Sequence, residues 1–436
     1  MTLQVLTTQP NWSTPVLERL EWKTDVIKSR DGSEQRIKLR ENPRHLMEYD
    51  FVVMKDEYRA LQVQLLRWQS ELWIVPLWMH TQQTTAPILL GGTRIYVGST
   101  ATYEYQVGSH LVLFSSSTLY EYLPVIGVGV NYIDVSPTTK AWSAGAPVCP
   151  ARNGRLASSI KVKAVTSDVV TGSLQVTLEN TLKFTYTEDE RIDGLLFFGV
   201  EPNRAEPIDM EWSRNLEILD YGTGPILSYD LRGYTEIIRA HSYLQLNRSG
   251  QNRIRSLLNY CKGMWSPFLL PTFQADISAF NDAVTVVGVA NSYAFLTDLT
   301  GVALTDSTST ALTTLDVVSG TPSITTATTY LSTDNALTIK SVNYTNDMFS
   351  RLTYRYLRIE LQTGQVLIKQ VQSSVVLSAD LERLTFTTPF GYSFTAAGIS
   401  RISYVNMSRL DSDAVEFTWI TPNVASMMIT TRGIPQ

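Results

Sequence analysis

Apolar and polar residues alternate along much of this chain, and a period of two predicts strands with one face against a core. Tyr103, Tyr105 and Val107 alternate with Glu104 and Gln106, placing aromatic groups on one face and polar groups on the other. Leu174, Val176 and Leu178 alternate with Gln175, Thr177 and Glu179; the pattern resumes after Asn180 at Leu182, Phe184 and Tyr186, which reads as a hairpin. Leu352, Tyr354 and Tyr356 are followed by Leu357, Ile359 and Leu361, and the change of phase after Tyr356 predicts a β-bulge. A turn at Thr363-Gly364 leads into a strand over Val366–Gln370, and Val415, Phe417 and Trp419 form the last alternating set. Segments 81–102 and 300–335, rich in Thr, Ser and Gly, read as long loops or weakly paired strands.

Two stretches change to helical period. Tyr58, Leu61, Leu65 and Trp68 fall on one face of a helix near 56–69, with Asp56 and Glu57 in its first turn, where carboxylates favour the exposed N–H groups. Ile254, Leu257, Leu258 and Cys261 form the second face, with Ser249 as candidate N-cap and Gly263 as terminator. If both faces are core, Leu65→Ala and Leu257→Ala should each cost about 2–5 kcal/mol.

The helices belong to an internal repeat. Glu21-Trp22, a turn at Asp31-Gly32, a polar strand, a helix and Leu72–Trp78 are followed much later by Glu211-Trp212, the turn Gly222–Gly224, a strand, a helix and Met264–Pro271. Trp22 aligns with Trp212, Leu65-Leu66 with Leu257-Leu258, and Trp68 and Trp73 with Tyr260 and Trp265. A long unit repeated once predicts a duplicated domain. A boundary is expected near residue 200, at Glu201-Pro202-Asn203. The expected organisation is a first β domain over 1–200, a second copy of the β-plus-helix unit over 201–275, and a β extension over 276–436 completing the second half.

Composition narrows function by exclusion. Lys plus Arg is 36 against 41 Asp plus Glu, a net charge of −5, which argues against general nucleic-acid binding. The 18% charged fraction lies below the roughly 25% of ordinary soluble domains, as in chains that bury surface against partners. Two cysteines, Cys149 and Cys261, exclude a disulfide framework or a cysteine-based metal cage, and the thiols are expected to be reduced. Met1–Pro15 lacks a signal-peptide pattern, and the apolar run Leu123–Val130 falls short of the ~18 residues that span a bilayer, so no membrane insertion is expected.

Candidate chemistry is sparse. His45, His80, His110 and His241 have no metal-ligand spacing, and neither a nucleophile elbow nor a phosphate-binding glycine loop occurs. The acidic groups Glu188/Asp189/Glu190/Asp193 and Asp411/Asp413 read as solvated loops without calcium-loop spacing. The basic run Arg30, Arg36, Lys38, Arg40 and Arg44 is interleaved with Asp31, Glu34 and Glu41 and reads as a salt-bridged polar face, facing a neighbouring subunit rather than nucleic acid. The nine Trp read as core or interface anchors. No catalytic, cofactor-binding or metal residue is assigned, and no enzymatic activity is expected.

Leu20–Val26, with its W-x-T-D start, Asp31–Arg36, with G-x-E-Q-R, and Asn42-Pro43-Arg44 resemble tail-tip proteins of long-tailed bacteriophages, and Ser408–Glu416 resembles the closing segment of the same group. The resemblance covers about a fifth of the chain. It implies a structural, distal-tail or baseplate subunit built from tail-tube-like β domains, assembled in the host cytoplasm and carried in the virion. The expected fold is mainly β: two related sandwich or barrel halves, each with one packed helix, plus additional β structure at the C-terminal end. The expected role is to join the tail tube to the host-recognition apparatus and form part of the DNA channel. Expected partners are further copies of the chain, in a trimeric or hexameric ring, with tail-tube and other tail-tip proteins. A carbohydrate-binding adhesin or tail-associated glycan hydrolase is the alternative, and it requires a cleft with two facing carboxylates.

Overall fold

The computed structural model describes residues 4–29, 33–179, 190–231, 235–281, 284–286, 293–295, 313–315, 324–326, 328–349 and 354–434. It is mainly β, with 50% strand and 11% helix in large antiparallel sheets. In chain order the first elements are β1 (Gln4–Val5), β2 (Val16–Glu21), β3 (Thr24–Lys28), β4 (Glu34–Lys38), β5 (Arg44–Met54), α1 (Lys55–Trp68) and β6 (Trp73–Pro76). Then come β7 (Gln82–Gln83), β8 (Arg94–Tyr96), β9 (His110–Phe114), β10 (Tyr120–Val128), β11 (Tyr132–Val135), β12 (Pro147–Leu156), β13 (Val162–Ala164) and β14 (Val169–Leu178). They are followed by β15 (Arg191–Ile192), β16 (Leu195–Leu196), β17 (Asp209–Ser213), β18 (Leu216–Leu219), β19 (Leu227–Asp230), β20 (Glu236–Gln245), α2 (Arg248–Cys261) and β21 (Phe268–Pro271). The remainder is β22 (Val284–Val286), β23 (Tyr293–Phe295), β24 (Thr313–Leu315), β25 (Ile324–Thr326), β26 (Thr329–Tyr330), β27 (Ala336–Lys340), β28 (Tyr356–Leu361), β29 (Val366–Ser378), β30 (Leu381–Phe386), β31 (Phe394–Thr395), β32 (Ile399–Leu410), β33 (Ala414–Thr421) and β34 (Val424–Gly433). Two compact units result, residues 1–270 with 407–435, and residues 271–406.

The first unit is organised by a seven-stranded antiparallel sheet in the order β14-β5-β2-β33-β34-β20-β17. Alternation decides its faces. Met47, Tyr49, Phe51 and Val53 on β5, Leu174, Val176 and Leu178 on β14, and Val415, Phe417 and Trp419 on β33 are buried, and the residues between them are mostly exposed or half-buried. The same unit holds a small barrel in which β7, β8, β11, β10, β9 and β12 pair in turn, closed where Thr84 bridges Val97 and where β12 pairs β7. Ile95, Leu111, Leu113, Ile133 and Val148 fill it.

The second unit is also a barrel. β27, β30, β29, β28 and β32 pair in turn, and residues 277–279 bridge both edges, through Ile277 to Ile402 and Ala279 to Ile339. Leu337, Ile339, Leu357, Ile359, Leu384 and Phe386 are buried within it. Glu382 is buried but fully engaged: its carboxylate accepts from Ser341 Oγ (2.8 Å), the N–H groups of Val342 and Tyr344 (both 3.0 Å) and Thr345 N–H (2.7 Å). Burial pushes its pKa up, but these donors outweigh burial and hold it below the usual carboxylate range.

Two stretches share element order and register. Strand, hairpin, long strand, helix and strand occur as β2, β3–β4, β5, α1, β6 and as β17, β18–β19, β20, α2, β21. Raising each residue number by 192 turns the β2/β5 ladder, Glu21↔Arg44, into the β17/β20 ladder, Ser213↔Glu236. It also turns the first hairpin's Thr24↔Lys38 into the second's Leu216↔Asp230. Single hydrogen bonds correspond too, with Leu6 N–H donating to Ile74 O and Phe198 N–H to Leu269 O, both at 2.9 Å. With residues 277–279 taking the place of β7, the segments of the two barrels are connected in the same order.

Several sequence expectations need correction. Residues 103–107 form a loop, not a strand, and Glu104 is buried within it. On α1 only Leu61 is buried, with Tyr58, Leu65 and Trp68 half-buried, whereas Ile254, Leu257, Leu258 and Cys261 on α2 are all buried. Asn247, not Ser249, caps α2, its Oδ1 accepting from Gly250 N–H at 2.8 Å, because the chain enters the helix two residues earlier. After Tyr354, at φ +61°, β28 starts at Tyr356 with Tyr356–Arg358 and Ile359 buried on both faces. Burial on both faces explains the lost alternation; the bulge lies between Glu360 and Leu361 instead. Leu182, Phe184, Tyr186, Leu352 and the Asp31-Gly32 turn lie outside the described residues.

Candidate functional site

The densest polar chemistry in the first unit is buried, between the seven-stranded sheet and α2. Glu18 on β2, His45 on β5, Glu104 in its loop, Arg152 on β12 and Arg255 on α2 are each at most 6% exposed. Arg255 bridges the two carboxylates: Nη2 donates to Glu18 Oε2 at 2.5 Å and Nη1 to Glu104 Oε1 at 3.1 Å. Arg152 pairs with Glu104, and His45 Nε2 lies 2.7 Å from Glu18 Oε1. Trp419 Nε1 donates to Glu18 Oε2 at 2.8 Å, and the Arg255 guanidinium lies 4.9 Å from the Phe417 ring centre.

These contacts set the protonation states. Burial alone would raise the Glu18 pKa, but Arg255 and His45 more than offset it and hold the carboxyl well below its usual range. His80, also buried, is driven well below the ordinary histidine value by burial and then by Arg248 and Arg255. Arg248 is lowered to about 10 by burial and remains a cation at neutral pH, donating to the carbonyls of Met79 and Pro422. Such a set of paired buried charges fixes how strands and helix meet, since each charge left without its partner would be costly.

The acidic loop of residues 411–413 is also structural. Asp411 accepts from Arg432 Nε at 2.7 Å. Asp413 accepts from Thr24 N–H (2.6 Å), Thr24 Oγ1 (2.8 Å) and Met264 N–H (2.9 Å), which ties the start of β3 to the end of α2. The reading of these two residues as a solvated loop is therefore corrected. Glu190 and Asp193 are described, and Glu188 and Asp189 lie outside the described residues. Gly263, at φ +77°, sits against this junction, where an added Cβ would run into the Asp413 carboxylate and lie 2.9 Å from Trp22 Cβ. Gly263→Ala should cost about 1–3 kcal/mol through strain and displacement of Asp413, read as a lower urea midpoint.

Arg36 pairs with Glu34 at 2.5 Å and donates to Met264 O at 2.7 Å; Lys38 pairs with Glu41 and lies 4.7 Å from the Trp265 ring centre. Arg40 donates to Glu21 O at 3.4 Å, Arg44 is an exposed residue of β5, and Arg30 lies outside the described residues. Cys149 and Cys261 are free and buried, and burial pushes the Cys149 thiol up to about 12 and raises that of Cys261. Trp22, Trp73, Trp78, Trp142 and Trp419 are buried, whereas Trp212 is 62% exposed. A surface groove of about 590 Å³ is lined by Tyr120, Glu121, Tyr122 and Lys140 among others, but Glu121 is engaged by Thr139 and by Trp142 Nε1 (2.9 Å). Among the described residues no group of three or more His, Cys, Asp or Glu is placed to hold a metal ion.

His110 is half-buried, and His241 is fully buried beside Tyr243, with neither ring nitrogen hydrogen-bonded among the described residues. Burial, with Arg239 and Arg204, lowers the His241 pKa to about 4. The native state thus holds this ring neutral while the unfolded chain takes up a proton below about pH 6.5. Its contribution is present above pH 6.5 and is lost as pH falls toward 4, a loss of about 3 kcal/mol. Urea unfolding of wild type and His241→Phe between pH 7.5 and 4.5 should show a smaller pH slope in the variant.

Between the two buried carboxylates stands Arg255, which donates to both Glu18 and Glu104. No family model matches the chain, and no curated protein matches its sequence.

Proposed function

We propose that the chain is a duplicated structural subunit of a bacteriophage tail tip, joining the tail tube to the host-recognition apparatus and lining part of the DNA channel. The observation that carries the reading is the joint between two register-matched halves: β33 pairs with β2 from Val16↔Trp419 to Glu21↔Ala414, which puts both halves side by side in one sheet. Each half then consists of a sheet segment, a hairpin, a helix and a six-stranded barrel inserted before the sheet is completed, with the second half beginning near residue 201. The tail-tip resemblance of residues 20–44 and 408–416 falls on β2, its hairpin and the β32–β33 corner, the segments that build this joint.

The sheet arrangement favours a ring of three chains with six similar units over a hexamer with one half outside, because both halves share one layer. The face turned away from the core exposes Glu48, Asp50 and Glu416 with Arg19 and Arg44, a slight acidic excess. An acidic surface of that kind repels passing DNA rather than retaining it. Assembly in the host cytoplasm and residence in the virion follow from the same reading. Gold-labelled antibody against this chain, applied to intact phage particles that carry it, should mark the tail end in electron micrographs. Labelling confined to the head or the tail shaft would overturn the proposal.

A further inference from the structure

The two edges of the seven-stranded sheet are unequal. In the first half β2 is paired on both sides, by β5 and β33. Its counterpart β17 is laddered only to β20 among the described residues, so its other edge is open. That edge carries Met210, 41% exposed, and Trp212, 62% exposed. An open strand with an exposed tryptophan and methionine invites pairing with another strand. At the far edge of the sheet, β13 pairs only with β14 among the described residues, through Val162↔Gly172, and stands where β33 stands in the second half. Lowering Phe417↔Met427 of the β33/β34 ladder by 255 gives this same pair.

Resting on the reading of the chain as two equivalent halves, we propose that chains associate head to tail by antiparallel pairing of β17 with the β13 strand of the next copy, repeating between chains the β2–β33 pairing made within one. The correspondence fixes the register. Arg19↔Glu416 becomes Glu211 opposite Lys161, and Leu17↔Thr418 becomes Asp209 opposite Lys163. Glu18↔Phe417 becomes Met210 opposite Val162, and Leu20↔Val415 becomes Trp212 opposite Ile160. Acid therefore meets base and apolar meets apolar at each position, although nothing in the construction of the register used side-chain chemistry. A slip of one residue would set Glu211 against Val162 and Trp212 against Lys161. The four charged residues make no ion pair among the described residues and are exposed.

The contact is heterologous, since two different edges meet, and such contacts close into a ring when the rotation per chain divides the circle. Between strands of the sheet this is the geometry of β-augmentation.

The test is light scattering coupled to size exclusion of the full-length chain. Wild type is expected as a closed oligomer; Glu211→Lys and Lys161→Glu should each weaken association at least tenfold, and the two together should restore it. Both sites are exposed, so unchanged thermal midpoints separate lost assembly from lost folding. Independently, Met210→Cys with Val162→Cys should cross-link between chains on oxidation, and Met210→Cys with Ala164→Cys should not. A wild-type monomer, or an oligomer indifferent to the charge reversals and without the cross-link, overturns the proposed contact. If the oligomer behaves as expected but antibody labels no tail end, the assembly stands and the tail-tip reading falls.

Discussion

Replacing Arg255 by methionine should destabilise the chain by about 3–5 kcal/mol, the cost of leaving a buried carboxylate without its cation. Glu18 is fully buried, and Arg255 is one of the groups that keep it ionised despite burial. Methionine preserves much of the side-chain volume against Phe417 and Trp419, so the loss reports on charge more than on packing. Adding Glu18→Gln to the variant should return part of the stability by removing the orphaned charge, although Gln must still satisfy Trp419 Nε1 and His45. Urea midpoints of the two single variants and the double variant measure the coupling. A cost below about 1 kcal/mol for Arg255→Met would mean that the network is screened by solvent.

The sheet was readable where burial is one-sided. Leu174, Val176 and Leu178, and Val415, Phe417 and Trp419, alternate because one face of each strand meets a core and the other does not. The second helix was readable for the same reason, in period 3.6. The buried network was not, because its members are far apart in sequence and none belongs to a periodic pattern: Glu18 and Arg255 are 237 residues apart. Alternation with Tyr103 and Tyr105 predicts the polar face of a strand for Glu104, but in a loop the backbone is free to turn a carboxylate toward Arg152 and Arg255. Trp22 and Trp212, each preceded by Glu, do not hold matching places in their ladders. The ladders align Trp212 with Leu20, and Trp22 lies beyond the end of β2, buried, with its N–H on Asp413 O at 2.9 Å. Like residues attract an alignment, whereas register is set by backbone pairing.

The helices separate in their response to truncation. Leu257→Ala should cost about 2–5 kcal/mol, since Leu257 is 1% exposed and sits among Ile254, Leu258 and Cys261, all buried, on a helix clamped by Asn247 at its start and by Lys262 in the left-handed region at its end. A cavity there has little room to collapse, because Arg255, one turn away from Leu258 on the same helix, is held by Glu18 and Glu104. Leu65→Ala in the isolated chain should cost only about 1 kcal/mol, because Leu65 is half-buried and loses less contact area. The sequence period is the same in both helices; what differs is the cover, which for α2 comes from within the chain. Thermal or urea unfolding of the two variants, run on monomeric material, measures the contrast. Equal losses would show that α1 is packed as deeply as α2.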